Sequence, residues 1–242
     1  MEITTSLQIQ QVKYAMKLSE KKYRDESKNF LIEGYHILEE LKGSDLIVHV
    51  YVRKGCEVPN WMKEYTIVSD IVADKLSQTK SGSDIFAVVK FIEAKEHLDK
   101  KVLLLDGIQD PGNLGTIVRT AHSFGFDAIY CSNSCADIYN PKVVRATQGA
   151  LFHLNIQRCD LTDKINELKD KGLIVIGTDV SGGENLSGFT NQNCAIVLGN
   201  EGEGVSKEVL ALCDRKLFIE TRQFESLNVG IACGIICYHF RG

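Results

Sequence analysis

Short, continuously apolar runs separated by polar, glycine-bearing turns dominate the chain from residue 101 onward. "KVLLLD", "FDAIYCS", "LFHLNIQ", "LIVIGTD", "CAIVLG" and "KLFIE" are the runs. Segments this short and this apolar are expected as strands buried on both faces. Helix-patterned stretches separate several of them: "GTIVRTAHSFG", "LTDKINELKDKG", "VSKEVLALC" and "SLNVGIACGIICYHF". The alternation predicts an α/β domain with a mainly parallel sheet covered on both sides. Ligands of such sheets bind beyond the carboxyl ends of the strands. The chemistry is therefore expected in the loops that follow the strands.

The first part of the chain is patterned differently. In "LQIQQVKYAMKLSEKKYRDE", Leu7, Val12, Ala15, Met16 and Leu18 fall near helical spacing with charges between them. "FLIEGYHILEELKG" reads as a second short helix closed by Gly43. "LIVHVYVRK", "YTIVS" and "IFAVVKFIE" read as strands, and "SDIVADKLSQ" as a helix capped by Ser69. Residues 1–95 form a small mixed α/β module on this reading. "AKEHLDKK", near residues 94–100, is the expected linker, and residues 100–242 the second domain. No internal repeat or low-complexity segment interrupts the pattern.

Composition narrows the classes. The chain has 242 residues, 44% hydrophobic and 25% charged, with a net charge of −4. That balance excludes a strongly basic nucleic-acid coat protein but not a local basic patch. Eight cysteines are present and none forms a CxxC pair. They read as small buried residues in a reducing cytosol rather than as a zinc or disulfide framework. "MEITTSLQIQQVKYAMK" lacks the apolar core of a signal peptide, and no apolar run approaches the length of a membrane span. A cytoplasmic location is expected.

Three loops carry candidate chemistry. "DGIQDPGNLGTIVRTAHSFG" follows the strand at 102–106. Asp110, Pro111 and Gly112 make a turn, and Asn113 stands near a helix start where it can cap exposed amides. Arg119 lies further along that helix, as a solvated charge, an ion-pair partner or a functional cation. "GNEGEG", residues 199–204, follows the apolar run at 194–199. It is neither GxGxxG nor a P-loop, since no Gly-Lys-Ser/Thr follows. Glu201 and Glu203 would repel a pyrophosphate. A glycine turn of this kind suits a neutral or cationic ligand approached by main chain, or is a plain turn before a helix capped by Ser206, with Val205 and Leu210 as a hydrophobic staple. "FESLNVGIACG" is the third loop: Ser226 is the expected helix cap, with Asn228 in the first turn. Ile231, Ala232, Gly234 and Ile235 form a small-residue face for close packing or a dimer contact.

"DPGNLGTIVRTAHSFGFDAI", "IVLGNEGEGVS" and "ESLNVGIA", in that order with "NPKVVRATQGALFHL" between them, resemble the three motifs of the SpoU, or TrmH-like, branch of the SPOUT RNA methyltransferases. The resemblance runs from about residue 100 to the end. More weakly, "KYRDESKNFLIEG" in the first 95 residues resembles the L30e-like substrate-binding domain that often precedes this catalytic domain. The resemblance implies a C-terminal trefoil knot, S-adenosylmethionine as cofactor, methyl transfer to a ribose 2′-hydroxyl, a homodimer and no metal. It implies that Asn113, Arg119, Glu201, Ser226 and Asn228 form the polar catalytic constellation, and that Thr178, Leu198, Gly199, Ile219 and Leu227 line the adenosine pocket. Glu203 is left without a role. The segment "IETRQFESLN" lacks the proline and glycine that family members commonly carry there, and is one residue shorter.

RNA is the implied partner, ribosomal on the leading reading and transfer RNA on the alternative. Lys13, Lys17, Lys21, Lys22, Arg24 and Lys28 cluster near the N-terminus with Tyr14 and Tyr23, either as an RNA-contacting face or as a solvated helix balanced by Glu20, Asp25 and Glu26. Lys21, Lys22 and Arg24, together with Arg119, are the expected RNA contacts. Two other classes are weighed: a non-catalytic RNA-binding protein of the same fold, and a nucleotide-dependent oxidoreductase. The intact polar constellation argues against the first, the acidic loop against the second.

Overall fold

The structure is a computed structural model that describes residues 3–79, 81–94, 98–222 and 226–241. Met1, Glu2 and the middle of the expected linker, residues 95–97, lie outside them. Contacts divide the chain into two units, Met1–Glu93 with Tyr139–Phe152, and Ala94–Ile138 with His153–Gly242.

In chain order the first unit opens with β1 (Ile3–Thr4), α1 (Gln10–Lys17), α2 (Lys21–Ser27), β2 (Asn29–Glu33), α3 (Tyr35–Glu39), β3 (Ile47–Arg53), β4 (Thr66–Val68), α4 (Asp70–Leu76) and β5 (Ile85–Lys90). Its sheet runs β1-β4-β3-β5-β2. β3 is parallel to β4 and antiparallel to β5, and β5 is antiparallel to β2. The helix expected over "FLIEGYHILEELKG" is two elements. Phe30, Leu31 and Ile32 are buried as a strand, and Gly34, at φ 102°, turns the chain into α3. Three consecutive buried apolar residues satisfy a covered sheet better than a one-sided helix, and a positive φ is open to glycine at no steric cost. Ser69 stands at the start of α4, but its hydroxyl makes no capping bond.

The second unit contains β6 (Lys101–Asp106), α5 (Pro111–Ser123) and β7 (Ala128–Cys131). α6 (Pro141–Thr147) then follows as part of the first unit. Its companion residue Tyr139 stacks on Phe91 with ring centroids 3.8 Å apart, and the Tyr139 hydroxyl accepts from the Ile92 amide at 2.9 Å. Val143 and Val144 are buried, and Arg145 reaches Glu33 at 3.4 Å. Expected within the second domain, this excursion therefore belongs to the first core.

The chain continues through β8 (Asn155–Arg158), α7 (Leu161–Asp170), β9 (Ile174–Thr178), β10 (Glu184–Asn185), β11 (Cys194–Gly199), α8 (Lys207–Ala211), β12 (Arg215–Phe218) and α9 (Val229–His239). The order β10-β12-β9-β11-β6-β7-β8 is parallel throughout. Alternate strand residues serve opposite faces. Val102, Leu104, Val175, Ala195 and Val197 pack with Leu161, Ile165 and Leu168 of α7 and Val209 of α8. On α9, Val229, Gly230, Cys233, Ile236 and Cys237 are buried, and a β-carbon at Gly230 would lie 3.2 Å from Thr116 Cγ2 of α5. The small-residue face expected to do this packing lies elsewhere: Ile231 and Ile235 are exposed, and a β-carbon on Gly234 would touch nothing.

Candidate active site

The register of β6 and β11 brings two of the three loops together. The strands pair from Lys101↔Cys194 to Asp106↔Gly199, so they end side by side. At the start of α5 the cap is Asp110, whose Oδ1 accepts from the Asn113 amide at 2.8 Å. This corrects the expectation that Asn113 caps the helix. Relieved of that duty, the Asn113 side chain reaches across to the glycine loop and donates through Nδ2 to Glu201 Oε1 at 2.6 Å. Asn228 Nδ2 in turn donates to Asn113 Oδ1 at 3.0 Å.

Asn228, not Ser226, is the cap of α9. Its Oδ1 accepts from the amides of Gly230 at 2.9 Å and Ile231 at 3.3 Å. Both ends of this relay set its sense. Helix amides only donate, so they claim the Asn228 oxygen; an ionised carboxylate only accepts, so Glu201 claims the Asn113 nitrogen.

The glycine turn is braced from both strands. Asn200 and Gly204 exchange backbone bonds of 3.0 and 2.9 Å. The Asn200 side chain accepts from Gly202 and Glu203 amides and donates to the Gly107 carbonyl at 2.9 Å. Asp106 Oδ2 accepts from the Ser206 amide at 2.9 Å, and Ser206 caps α8 as expected. A β-carbon at Gly199 would lie 2.1 Å from backbone atoms of Gly204 and Val205, so the turn folds directly over position 199 and admits only glycine there. Glu201, Gly202 and Glu203 form its exposed tip.

The expected cofactor residues sit at neighbouring strand ends. β11 pairs with β9 only as far as Val197↔Gly177, while its pairing with β6 runs on to Gly199. Leu198 and Gly199 therefore extend beyond the ladder on the β9 side, where main chain can meet a ligand. Thr178 closes β9, its hydroxyl donating to the Val197 carbonyl at 2.9 Å, and Leu217 of β12 pairs with it. Ile219 follows β12 and Leu227 precedes the cap of α9, each half-buried. Apolar walls, open main chain and a carboxylate nearby fit an uncharged nucleoside joined to a cation, not a polyphosphate. Residues 223–225, with Glu225 of the expected third motif, lie outside the described residues. Among the described residues no group of three or more His, Cys, Asp or Glu could hold a metal ion.

Arg119 and Ser226 are not joined to the relay. Arg119 is exposed on α5, six positions beyond Asn113, or about 9 Å along the helix at its usual rise. The expected RNA cluster divides. Lys21 and Lys22 are exposed on α2, Lys21 paired with Asp25 and Lys22 lying 5.9 Å from the Tyr23 ring centroid. Arg24 is buried at 2% exposure, and its Nη1 donates to the carbonyls of Leu18 and Ser19, each at 2.8 Å. Those carbonyls close α1, so Arg24 holds a helix end rather than facing solvent, and it leaves the expected RNA-contacting set.

The bracing residues carry no signal of their own in the sequence. Asn200 was visible only as part of "GNEGEG". Arg158, at the end of β8, donates to the carbonyls of Ser132, Asn133, Cys135 and Ala136 at 2.8–3.0 Å. That loop in turn holds the β6 turn, through Ser132 Oγ to the Gly107 amide at 3.0 Å and the Ala136 amide to the Ile108 carbonyl at 2.8 Å. No local pattern announces a guanidinium that meets four carbonyls.

At the carboxyl ends of a parallel sheet, then, an acid–amide relay lies beside a glycine turn that carries two carboxylates and no lysine. The sequence pattern of the SpoU rRNA Methylase family matches residues 100–238, and that of the MRM3-like substrate binding domain matches residues 10–87. The chain belongs to the SpoU rRNA methylase family, a family of methyltransferases. It is 36% identical, over 96% of both chains, to the 23S rRNA (guanosine(2553)-2′-O)-methyltransferase RlmP of Bacillus subtilis. A protein from Porphyromonas gingivalis assigned to the TrmH family of RNA methyltransferases has the same fold, with a TM-score of 0.86, 30% identity and 98% of each chain covered. The AdoMet-bound rRNA methyltransferase of Sinorhizobium meliloti superposes with a TM-score of 0.87 at 24% identity, covering 99% of this chain and 97% of that one.

Proposed function

We propose that this protein transfers a methyl group from S-adenosylmethionine to a ribose 2′-hydroxyl of ribosomal RNA. The observation that carries the reading is the Asn228–Asn113–Glu201 relay at the ends of β6 and β11, in a chain of the SpoU family. The name of the Bacillus subtilis relative supports the ribosomal substrate.

S-adenosylmethionine, when bound, supplies a methyl carbon activated by a sulfonium cation. Thr178, Leu198, Gly199, Ile219 and Leu227 would hold its adenosine through main chain and packing. Glu201 places a negative charge at the glycine turn, where a cation is favoured and a phosphate repelled. Asn113 orients that carboxylate, and Asn228 orients Asn113. Arg119, on the exposed side of α5, holds the phosphate beside the attacking ribose and stabilises the alkoxide as the hydroxyl loses its proton to solvent. A guanidinium remains protonated at neutral pH and is a poor base. The bound cofactor would supply the methyl carbon for in-line attack by the 2′-oxygen, with its sulfur as the leaving group, and positioning by these residues would provide much of the acceleration.

Three further features belong to the proposal. A homodimer is supported by the exposed apolar stripe of α9, where Ile231, Ile235 and Tyr238 are 58%, 38% and 56% exposed. A C-terminal knot is part of the reading, with α9, which follows β12, packed on α5 and β11. A cytoplasmic site of action accords with eight free thiols. The decisive test is Arg119→Ala. Turnover on ribosomal RNA is expected to vanish while calorimetry shows S-adenosylmethionine still bound; a folded variant that no longer binds the cofactor contradicts the role.

A further inference from the structure

Within the first unit, α3 and the irregular loop after β3 border an open hollow of about 400 Å³. Its lining includes Tyr35, Glu39 and Lys42 on one side and Glu57, Asn60 and Trp61 on the other. Two hydrogen bonds cross it. The Tyr35 hydroxyl donates to the Glu57 carbonyl at 2.7 Å, and the Trp61 indole N–H donates to Glu39 Oε1 at 2.8 Å. Each ring is thus tied by its one polar atom, which restrains its rotation, while both side chains stay only half-buried. Aromatic rings held still and left part-open lose little entropy on binding a flat partner.

The charges select what enters. Glu39 and Glu57 disfavour a phosphate inside the hollow, whereas exposed Lys42 can take one at its edge. A neutral, planar base fits between, and the volume lies within the range of small-ligand sites. The second carboxylate oxygen of Glu39 and the Asn60 amide can accept from an exocyclic amino group. We infer that this hollow receives one unstacked, amino-bearing base of the RNA substrate, stacked on Trp61 and Tyr35, with its phosphate on Lys42. The inference rests on the RNA reading given above and adds to it a base-holding site remote in sequence from the methyl-transfer loops. Single-stranded RNA is commonly gripped in this way, by aromatic stacking of splayed bases.

Trp61 is the chain's one tryptophan, so its emission reads this hollow alone. The full-length protein is titrated with a short single-stranded oligoribonucleotide of mixed sequence and with a blunt RNA duplex. Saturable quenching by the single strand, and little by the duplex, is expected. Trp61→Ala should weaken single-strand binding, measured by filter retention, about five- to hundredfold, the range for one lost base–aromatic stack. Trp61→Phe should restore most of it, and Lys42→Glu should weaken it with the rings intact. KM for ribosomal RNA should rise in Trp61→Ala with kcat and S-adenosylmethionine affinity unchanged. Unaltered emission at saturating oligoribonucleotide, or wild-type affinity in both Trp61→Ala and Lys42→Glu, overturns the site. If methyl incorporation into ribosomal RNA persists in that case, the catalytic reading stands without it. Quenching without any methyl incorporation removes the catalytic reading and keeps the site.

Discussion

Asn228 holds two jobs that can be separated by a single isosteric change. Its oxygen caps α9 and its nitrogen orients Asn113. Asn228→Ala removes both. Loss of a side-chain cap costs about 1 kcal/mol, roughly a fivefold larger open population of the first turn. Loss of the Asn113 bond adds about 0.5–1.5 kcal/mol. Asn228→Asp keeps the cap, since aspartate is as good an N-cap as asparagine, and its charge is favoured at a helix N-terminus. It cannot donate to Asn113, however, and it sets an acceptor against Asn113 Oδ1. The Asn113 amide must then turn its nitrogen toward residue 228 and abandon Glu201. Amide exchange at Gly230 and Ile231, followed by NMR, is expected to quicken in Asn228→Ala and to match the wild type in Asn228→Asp. Methyl transfer to ribosomal RNA should fall in both. An Asn228→Asp enzyme with wild-type turnover would show that the cap alone matters and that the relay is incidental. Unchanged exchange in Asn228→Ala would refute the cap.

Five further outcomes are expected. Gly199→Ala drives a β-carbon into the backbone of Gly204 and Val205, so S-adenosylmethionine binding by calorimetry should be lost while circular dichroism shows the sheet retained. Arg24→Ala leaves the Leu18 and Ser19 carbonyls without their donor and should destabilise the first unit by about 1–3 kcal/mol in urea unfolding; Lys21→Glu with Lys22→Glu should instead weaken RNA binding and leave both stability and cofactor affinity unchanged. Arg158→Ala frees the 132–136 loop and should lower kcat, with Arg158→Lys failing to rescue it because an ammonium cannot meet four carbonyls at once. Burial, together with the nearby Tyr14, pushes the Tyr51 hydroxyl up to about 12. The folded state therefore holds that proton longer than the unfolded chain does, so the contribution is complete below pH ~10 and is lost as pH rises from there through 12. Absorbance titration should show a phenol that ionises only near pH 12, absent in Tyr51→Phe.

Much of the second unit was legible because each strand is a closed local statement. Five of the six apolar runs became strands as expected, and their continuous apolarity announced a sheet covered on both faces; "LFHLNIQ" instead opens in a single helical turn at Ala150–Phe152, and only its last three residues enter β8, where none is fully buried. The first unit was harder. "FLIEGYHILEELKG" holds a strand and a helix in one apolar stretch, and only pairing with β5 separates them. The two-residue strands β1 and β10 carry no periodicity at all. In the site, residue types were readable but their duties were not. Asp110 and Asn113 both suit a helix start, as Ser226 and Asn228 do, and the choice falls to the residue that keeps an extended ψ, 122° at Asp110 and 136° at Asn228, before the chain turns helical.

From the order of its residues alone, this protein's α/β class, its three candidate loops, the lack of a P-loop or GxGxxG pattern in the glycine turn and its family resemblance all follow. Each rests on local pattern or on charge carried by a single loop. Tertiary structure alone decided that Glu201 meets Asn113 across 88 positions and Asn228 meets Asn113 across 115, that Arg24 faces inward, and that Tyr139–Phe152 joins the first core. Those outcomes depend on strand register and on which buried donor finds which acceptor. Such pairings are settled by the whole packed chain, because a polar group taken out of water must find its partner wherever the fold has placed one.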